Sequence, residues 1–530
     1  MKNKNSQNKD LNYLIVKDNH RRRFFSKVFY SHVILTLLLI LIQIFVFIAF
    51  CVWLNPHIEF YYGASILMTT GFMIYIVNSP GKNEFKITWL VPVAIFPLFG
   101  IGAYLMYHLN FGGIFYKNRF KNHVKTMKKD ENEASQARKI LERNPEIKDI
   151  GNYLLNIGDY YPHEKNKITY YPSGEEFFPV LLEALKSAKE FIFIEFFIID
   201  VDESWSEILK ILEEKQREGV EVRLLYDGFG SVAASSKAYQ KYLREKGLNF
   251  HTFFPLIPLF STQMNNRDHR KIVVIDGKYG FTGGLNISNQ YFNRGKNKFP
   301  YWKDNEVKIE GSAIENLTAL FLQTWNLQTK GEEDYKKYLK LPYQEYEEKG
   351  ILIPYGDDPY NDLDIAEDLY IYMINKATNY LCITTPYVVI DSQLSSALIF
   401  AVRRGVKVQI VVPSVWDHFF TFCIGRTYLK DLIDAGVEIY LYEKGFIHAK
   451  TFICDGKYAT VGSVNLDYRS LFYHFECGCF MYNVDEIKNI EKDFSGILTE
   501  SNLLTKEKYK KIPAIQRGIG RILKIFSPLM

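Results

Sequence analysis

The sequence predicts an α/β protein of two tandem halves related by pseudo-two-fold symmetry, preceded by an N-terminal anchor of transmembrane helices. Three observations lead to this fold class. The chain is 530 residues long, its apolar residues are concentrated in uncharged runs near the N-terminus, and the rest of the chain carries one pattern twice. Because this length exceeds what one hydrophobic core usually holds, several structural units are expected.

The overall composition excludes several classes of protein. Lys and Arg number 65 against 60 Asp and Glu, so the formal charge is only +5. Dedicated nucleic-acid binders carry a stronger basic excess, and we expect no nucleic-acid partner. With 47% hydrophobic and 24% charged residues the chain is not disordered. Six cysteines are too few for a disulfide scaffold in a chain this long.

The predicted anchor, residues 1–112, rests on three uncharged runs. No charged residue occurs from Val33 to Leu54, a run that would be about 33 Å long as a helix and could cross a bilayer. Further uncharged runs cover 61–77 and 87–106, and prolines and glycines interrupt the last one. Basic residues flank the anchor at both ends, which favours an even number of crossings. Two spans plus a re-entrant or interfacial segment, or three spans, both remain open.

A charged connector is predicted over residues 113–160, and an internal repeat follows it. An apolar run at 188–195 is repeated at 377–384, and the segment 217–227 is echoed at 403–413. In each copy a helical pattern ends at a glycine and a short β-branched strand follows, as expected for a parallel or mixed sheet. The two halves are assigned to residues 161–340 and 341–530.

The clearest repeat carries chemistry. A histidine is followed by lysine at +2, aspartate at +7, glycine at +14 and asparagine at +17, and this spacing occurs twice. Side chains two apart on a strand share one face, so the imidazole and the ammonium can converge on one ligand. The motif residues are His269, Lys271 and Asp276 in the first half, and His448, Lys450 and Asp455 in the second.

Each motif is followed by small residues and an asparagine, at which a ligand could approach the backbone. These candidate substrate-binding residues are Gly284, Asn286, Ser463 and Asn465. Histidines, lysines and amides from both halves would surround a phosphate with positive charge and hydrogen-bond donors. Neither an H-E-x-x-H motif nor a pair of C-x-x-C motifs is present, so we expect no metal and no cofactor.

At these residues the chain resembles the phospholipase D superfamily, which is defined by two H-x-K-x4-D motifs, and more narrowly the bacterial cardiolipin synthases within it. The resemblance extends to the segments 283–291, 301–304, 385–387 and 462–470 and to the C-terminal segment 521–530. The chain departs from the family pattern at a few positions outside the motifs, which bears on substrate preference: Asn289, Gln290, Lys303, Glu306 and His474.

The resemblance implies a ping-pong phosphatidyl transfer between two molecules of phosphatidylglycerol, with loss of glycerol. It assigns His269 as the nucleophile and His448 as the acid and base, although the near equivalence of the motifs leaves the reverse open. Lys271, Lys450 and the two asparagines would stabilise charge on the phosphoryl oxygens, and the motif aspartates would support them from behind. Further acidic residues would orient the imidazoles, Asp304 that of His269 and Glu476 that of His448.

The expected partners are phosphatidylglycerol and anionic membrane lipid, at the bacterial cell membrane, with a multi-pass anchor. A homo-oligomer is left open. Apolar residues on one face of the segment 515–526, with basic residues between them, fit either an interfacial helix or a core-packed one. The rival functions are a phospholipase D hydrolase, transfer to another alcohol, a nuclease, and a non-catalytic lipid-sensing scaffold.

Overall fold

The structure is a computed structural model that describes residues 45, 58–108, 111–126, 131–255, 265–329, 335–339, 341–361 and 363–529. Within these ranges, no helix combines the length and the apolar character needed to cross a membrane. The prediction of transmembrane helices is therefore not confirmed by the described residues. The first uncharged run lies outside them, apart from Phe45.

The third uncharged run is not one continuous helix, in keeping with the prolines and glycines that interrupt it. It is divided at Phe96, whose N–H donates to the carbonyl of Pro92 at 2.8 Å. The two resulting helices pack closely, since a Cβ on Gly100 would lie 2.5 Å from the backbone nitrogen of Val93. The N-terminal helices are α1 (Ile58–Asn78), α2 (Asn83–Ile95) and α3 (Pro97–His108). A C-terminal 3-10 helix, Lys524–Leu529, packs on α2.

The first half of the catalytic region is built around a seven-stranded mixed sheet in the order β1-β8-β6-β5-β2-β3-β4. Strands β2, β3 and β4 are parallel, and β5 runs antiparallel to β2. All six residues of β2 are buried, as an apolar strand covered on both faces requires. The strands are β1 (Lys167–Tyr171), β2 (Phe191–Phe196), β3 (Glu221–Asp227), β4 (Asn249–Phe253), β5 (Lys271–Ile275), β6 (Tyr279–Gly283), β7 (Trp302–Lys303) and β8 (Glu306–Glu310).

The second half repeats this arrangement in an eight-stranded sheet, ordered β19-β13-β12-β10-β15-β16-β18-β9. Apart from the extra edge strand β19, every strand has a counterpart at the same place in the first sheet. The two tandem α/β halves are therefore confirmed. The strands are β9 (Ile351–Asp357), β10 (Tyr380–Thr384), β11 (Val388–Val389), β12 (Lys407–Pro413), β13 (Glu438–Tyr442), β14 (Phe446–Ile447), β15 (Thr451–Cys454), β16 (Tyr458–Gly462), β17 (Leu466–Asp467), β18 (Glu476–Tyr482) and β19 (Ser501–Leu503).

Helices cover the sheets, and side-chain caps mark where several begin. Ser173 accepts from the N–H of Glu176, and Asp202 from that of Trp205. The helices are α4 (Phe111–Thr126), α5 (Glu131–Arg143), α6 (Lys148–Gly158), α7 (Gly174–Ser187), α8 (Glu203–Arg217), α9 (Lys237–Glu245), α10 (Ile314–Gln328), α11 (Lys336–Leu339), α12 (Ile365–Lys376), α13 (Ser392–Arg403), α14 (Phe419–Ala435), α15 (Tyr468–Phe472), α16 (Ile487–Thr499), α17 (Lys506–Lys510) and α18 (Ala514–Leu523), with a 3-10 turn at Pro145–Ile147.

The two halves share one hydrophobic core, and part of the predicted connector belongs to it. Leu141 and Leu154 are buried in that core. The ring of Phe120 lies edge-on to Phe475 at 5.3 Å. Buried Arg270 joins the halves, since its guanidinium donates to Thr324 of α10 at 2.9 Å and to the carbonyl of Glu476 at 3.1 Å.

The two motif aspartates hold strand ends together and lie away from the histidines. Asp276 follows β5 and accepts backbone N–H groups of Glu190 and Phe191, both at 2.8 Å. Asp455 does the same at the start of β10, accepting the N–H of Tyr380 at 2.7 Å. Seven residues of extended chain, about 20 Å, separate each aspartate from its histidine. The prediction that Asp276 and Asp455 belong to the catalytic group is therefore wrong, and their spacing recurs because the fold needs it.

Replacing Asp276 with alanine should destabilise the protein without changing the chemistry. Asp276 accepts three backbone N–H groups, and its own backbone is left-handed, with φ of 53°. We expect a loss of about 2 kcal/mol or more in the free energy of unfolding, measured with urea, because charged acceptors are lost and the backbone is strained. Turnover per folded molecule should stay at the wild-type level. Asp485→Ala, at an exposed aspartate, is the control, and a large loss of turnover per folded Asp276→Ala molecule would contradict this assignment.

Candidate active site

The two motif histidines lie at equivalent edges of their sheets. Because β5 runs antiparallel to β2, its start lies beside the carboxyl end of β2, with Lys271 opposite Phe196. In the second half Thr451 lies opposite Thr384 in the same way. His269 lies two residues before Lys271 and His448 three residues before Thr451, so each stands near the end of a parallel strand, the usual place for a ligand in open α/β sheets.

Backbone pairing between the halves brings the two histidines into one site. The N–H of His269 donates to the carbonyl of Phe475 in the second half at 2.9 Å. The N–H of His448 donates to the carbonyl of Lys303 in the first half at 2.7 Å, and β14 pairs with β7 in parallel just before it. Each histidine is therefore fixed by a segment of the opposite half, as the pseudo-two-fold arrangement predicts.

The same pairing exchanges the carboxylates that orient the imidazoles. His269 Nδ1 lies 2.9 Å from Glu476 Oε1, and His448 Nδ1 lies 2.6 Å from Asp304 Oδ2. The prediction that Asp304 orients His269 and Glu476 orients His448 is therefore wrong, and the partners are reversed. Sequence order suggested that each carboxylate orients the histidine of its own half. In the structure, however, Glu476 directly follows the residue whose carbonyl accepts the N–H of His269, and Asp304 follows the one that accepts the N–H of His448.

Burial decides the charge state of both pairs. The carboxylates of Glu476 and Asp304 are fully buried, and the two imidazoles are 8% exposed. Burial lowers the pKa of His269 to about 3, although Glu476 opposes the shift, and burial with the Lys450 ammonium lowers the pKa of His448 to about 4. Burial alone would raise the pKa of Glu476, but His269 outweighs it and holds this pKa well below the usual range. The pKa of Asp304 is also lowered, since His448 and Lys450 outweigh burial.

At neutral pH each pair is therefore a carboxylate beside a neutral imidazole. The carboxylate accepts from Nδ1–H, which fixes the tautomer and leaves the lone pair on Nε2. A neutral imidazole held in this way can act as a nucleophile or as a general base.

The two motif lysines are buried and differ in what they contact. Each donates to the backbone carbonyl of its own histidine, Lys271 at 2.5 Å, but within the described residues only Lys450 also contacts the ring, at 2.8 Å from His448 Nδ1 and 3.0 Å from Nε2. Burial lowers the pKa of both lysines, that of Lys450 to about 7. Both amines lie beside the backbone of the motif histidines, so they are positioned to bind an anionic ligand.

The two small residues predicted to bind substrate contact the orienting carboxylates instead. The Ser463 hydroxyl donates to Glu476 and accepts from the N–H of Cys477 at 3.0 Å. A Cβ on Gly284 would lie 2.0 Å from Asp304 Oδ1. Small residues are needed at these positions because a larger side chain would collide with the carboxylates that bind the imidazoles.

The two asparagines are buried but differ in their hydrogen bonds. Asn286 Oδ1 accepts from the backbone N–H of Ile198 at 3.1 Å, so its amide nitrogen is oriented. Asn465 Oδ1 is buried without a hydrogen-bond partner among the described residues. Both amides therefore remain candidates for binding a ligand oxygen.

Aromatic residues that the sequence reasoning did not assign flank the imidazoles. The Trp302 and Tyr291 rings lie 5.2 and 5.6 Å from that of His448. Phe197 lies 5.1 Å and His474 5.6 Å from His269. A usable signal existed for two of them: Trp302 stands two residues before Asp304 in the first half, as His474 stands two residues before Glu476 in the second.

One group in the described part of the chain has ligand atoms close enough to hold a metal ion. His269, His474 and Glu476 each offer one such atom, and these atoms lie within 4.8 Å of one another. Two imidazoles and a carboxylate form a ligand set that zinc accepts. The group overlaps the His269–Glu476 pair, so a metal bound there would compete with the orientation of that imidazole.

Comparisons with known proteins agree with this geometry. The family model of the cardiolipin synthase, PLD-like domain matches residues 181–325 and 370–498. An uncharacterized protein of Streptococcus mutans is 38% identical over 87% of this chain and all of its own length. Cardiolipin synthase 2 of Bacillus anthracis is 34% identical over 87% of this chain and 89% of its length. Cardiolipin synthase of a Geobacillus species is 33% identical over 88% and 94%.

A solved structure shares the fold at low sequence identity. The phosphatidylserine synthase of Haemophilus influenzae superposes with a TM-score of 0.55 and 16% identity, covering 72% of this chain and 97% of its own. The likeness supports the arrangement of two halves.

The crossed pairs should be detectable as coupling energies. We expect His269→Ala and Glu476→Gln to couple by about 1 kcal/mol or more in the free energy of unfolding, and His448→Ala and Asp304→Asn likewise, because each pair shares a buried hydrogen bond. The matched controls are His269→Ala with Asp304→Asn and His448→Ala with Glu476→Gln, which should be closer to additive. The cycles are measured by urea unfolding, and larger coupling in the control pairs would mean that the carboxylates are not exchanged.

Proposed function

Because this chain belongs to the cardiolipin synthase family of phospholipase-D-like proteins, we propose that it is a phosphatidyltransferase that joins two molecules of phosphatidylglycerol into cardiolipin and releases glycerol. The observation that carries the proposal is the pair of buried neutral imidazoles, each bound at Nδ1 by a carboxylate of the other half. Such a pair supplies one nucleophile and one proton carrier at a single phosphate.

In the first step His269 Nε2 attacks the phosphorus of one phosphatidylglycerol. A P–N bond forms, the bond from phosphorus to the glycerol headgroup oxygen breaks, and His448, which takes up a proton at Nε2 when the phosphate binds, gives that oxygen this proton. The products are a phosphatidyl-histidine and free glycerol. In the second step His448 takes the proton from a hydroxyl of a second phosphatidylglycerol, whose oxygen attacks the phosphorus while the P–N bond breaks. Cardiolipin forms, and both histidines return to their starting states.

The contacts of the two lysines support this division of roles. Lys450 Nζ lies 2.8 Å from Nδ1 and 3.0 Å from Nε2 of His448, so it is placed to exchange a proton with that ring. No comparable contact reaches His269 Nε2 from the described residues, which leaves its lone pair for attack. Bound phosphate would also favour the protonated form of His448, because an anion beside an imidazole raises its pKa. The ammonium groups of both lysines and the two asparagine amides would stabilise the phosphoryl oxygens.

We also propose that the protein acts at the membrane surface. Residues 1–112 would tether it as a multi-pass anchor, and anionic lipid would bind the basic C-terminal segment. Ile515 of α18 is 77% exposed and Ile522 is 66% exposed, which leaves an apolar face for lipid. Trp416 and Phe420 are also largely exposed, close to the carboxyl end of β12. The domain boundaries at 112, 160 and 340 and a homo-oligomeric state stay predictions.

A product assay tests the function. Purified full-length protein in detergent, given phosphatidylglycerol and a chelator, should form cardiolipin and glycerol in equal amounts, because the two histidines and two lysines carry the reaction. His269→Ala and His448→Ala should each lower the rate by a factor of at least about 10³.

The products also separate the alternatives. Phosphatidic acid as the only product would make the protein a hydrolase. Incorporation of an added alcohol in place of phosphatidylglycerol would indicate another transferase. No turnover by the wild type, together with histidine variants that still complement, would leave only a non-catalytic role.

The pH dependence should report Lys450. The pKa of its ammonium is lowered by burial to about 7, so the charge that stabilises the phosphoryl group is lost as pH rises through that value. We expect kcat/KM, which reports the free enzyme, to fall above about pH 7. Lys450→Arg keeps its charge at all these pH values, so its alkaline limb should move upward by at least one pH unit even if its maximum rate is lower. An alkaline limb that stays in place in Lys450→Arg would show that another group is responsible.

A further inference from the structure

A groove opens at the same edge of the second sheet as His448. Its walls come from the loop after β10, the end of β12, the first turns of α14 and the residue before Ile447, and the cavity between them is small, about 30 Å³. Most of the lining is apolar. The residues that the argument uses are Pro386, Val415, Trp416, Thr421, Arg426 and Phe446.

Arg426 is an unusual residue to line such a groove. Its residue surface is only 6% exposed, and its Nη1 is buried without a hydrogen-bond partner. Nη2 donates to the backbone carbonyl of Pro413 at 3.3 Å, and the guanidinium lies 4.4 Å over the ring of Phe422. No carboxylate of the described residues lies within ion-pair distance of it. Burial lowers the pKa of the Arg426 guanidinium to about 10, and the more distant Tyr509 and Glu443 offset this only in part. Because an incompletely compensated buried charge is costly, an anion in the groove would stabilise it.

The acidic residue that lines the groove, Asp417, is already engaged. Asp417 accepts from the hydroxyl of Tyr387 and lies 2.9 Å from the ring of His418. Those two groups hold the pKa of Asp417 at about 2, against the effect of burial. Asp417 therefore pairs with groups other than Arg426 and does not act as the counter-ion of the guanidinium.

The groove adjoins the reacting centre. Phe446 forms part of its wall, stacks on Trp302 at 4.9 Å, and Trp302 lies 5.2 Å from the ring of His448. In the sheet, β12 and the strand that follows His448 are separated only by β10, which corresponds to about 10 Å. A ligand that reaches from the phosphorus at the histidines into the groove needs to span only about that distance.

We propose that Arg426 binds the phosphodiester of the acceptor phospholipid at the mouth of the groove. This rests on the proposed function. The acceptor, phosphatidylglycerol, carries a phosphate of its own, separated from the attacking hydroxyl by a three-carbon glycerol unit. A site that transfers to this lipid in preference to water or a simple alcohol needs a cation for that second phosphate, in addition to the lysines that hold the first.

The test is the partition of one enzyme intermediate between two acceptors. The full-length protein in detergent receives phosphatidylglycerol together with 1,3-propanediol, a neutral alcohol, and the ratio of cardiolipin to phosphatidylpropanediol is measured. Both products arise from the same phosphatidyl-enzyme, so damage to the first step cancels in the ratio. We expect Arg426→Gln to lower the ratio about 10- to 100-fold, as for loss of a charged hydrogen bond. Arg426→Lys should lie between Arg426→Gln and the wild type.

Two further variants keep the result interpretable. Thr421→Glu introduces a carboxylate in the first turn of α14, where the helix tolerates it. It should pair with Arg426 and lower the ratio without removing the guanidinium. Lys430→Gln removes an exposed cation one turn further along the same helix and should leave the ratio unchanged.

The outcomes separate this inference from the proposed function. An unchanged ratio in both Arg426→Gln and Thr421→Glu would overturn the acceptor site while leaving cardiolipin synthesis intact. A wild type that forms no cardiolipin would overturn both proposals. Glycerophosphoglycerol, the soluble headgroup, serves as a third acceptor. Its use relative to 1,3-propanediol should fall in Arg426→Gln as far as that of the lipid, because both carry the phosphodiester, and an unchanged ratio for glycerophosphoglycerol would mean that Arg426 does not recognise the phosphate.

Discussion

The active site depends on an exchange of carboxylates between the two halves. Glu476 of the second half binds the imidazole of His269, and Asp304 of the first half binds that of His448. Neither half alone can fix the tautomer of its own histidine, because the group that accepts from Nδ1–H comes from the other sheet. The same segments also pair their backbones, so the imidazoles become oriented when the two halves pack together. This gives a physical reason for keeping two copies of the fold in one chain.

The copies are similar in fold and different in chemical detail. Ser463 donates to Glu476 where the first half has Gly284, and Trp302 stands where the second half has His474. Lys450 reaches the ring of its histidine, whereas Lys271 reaches only a backbone carbonyl. These differences lie around a nearly symmetric core, and they supply what a two-step reaction needs: one histidine with a free lone pair and one beside a proton donor.

The repeated spacing allowed the sheets, the motif strands and the meeting of the two histidines to be predicted. It could not reveal the crossed carboxylates, because spacing along one chain does not say which sheet a side chain faces after the halves pack. Asp276 and Asp455 were misassigned because a recurring residue can recur for folding, and here it binds the backbone at a strand start. Arg426 lay outside every motif. Its importance depends on burial and on a missing counter-ion, which no sequence pattern encodes.

The most direct test of the account is the number and place of phosphatidyl groups on the enzyme during turnover. Full-length protein reacting with phosphatidylglycerol is quenched in acid within the first turnover, and its intact mass and histidine-containing peptides are measured. The account predicts one phosphatidyl group per chain, attached to His269, since only one of two inequivalent histidines acts as the nucleophile. Phosphatidyl groups on both histidines, or on His448 alone, would contradict it.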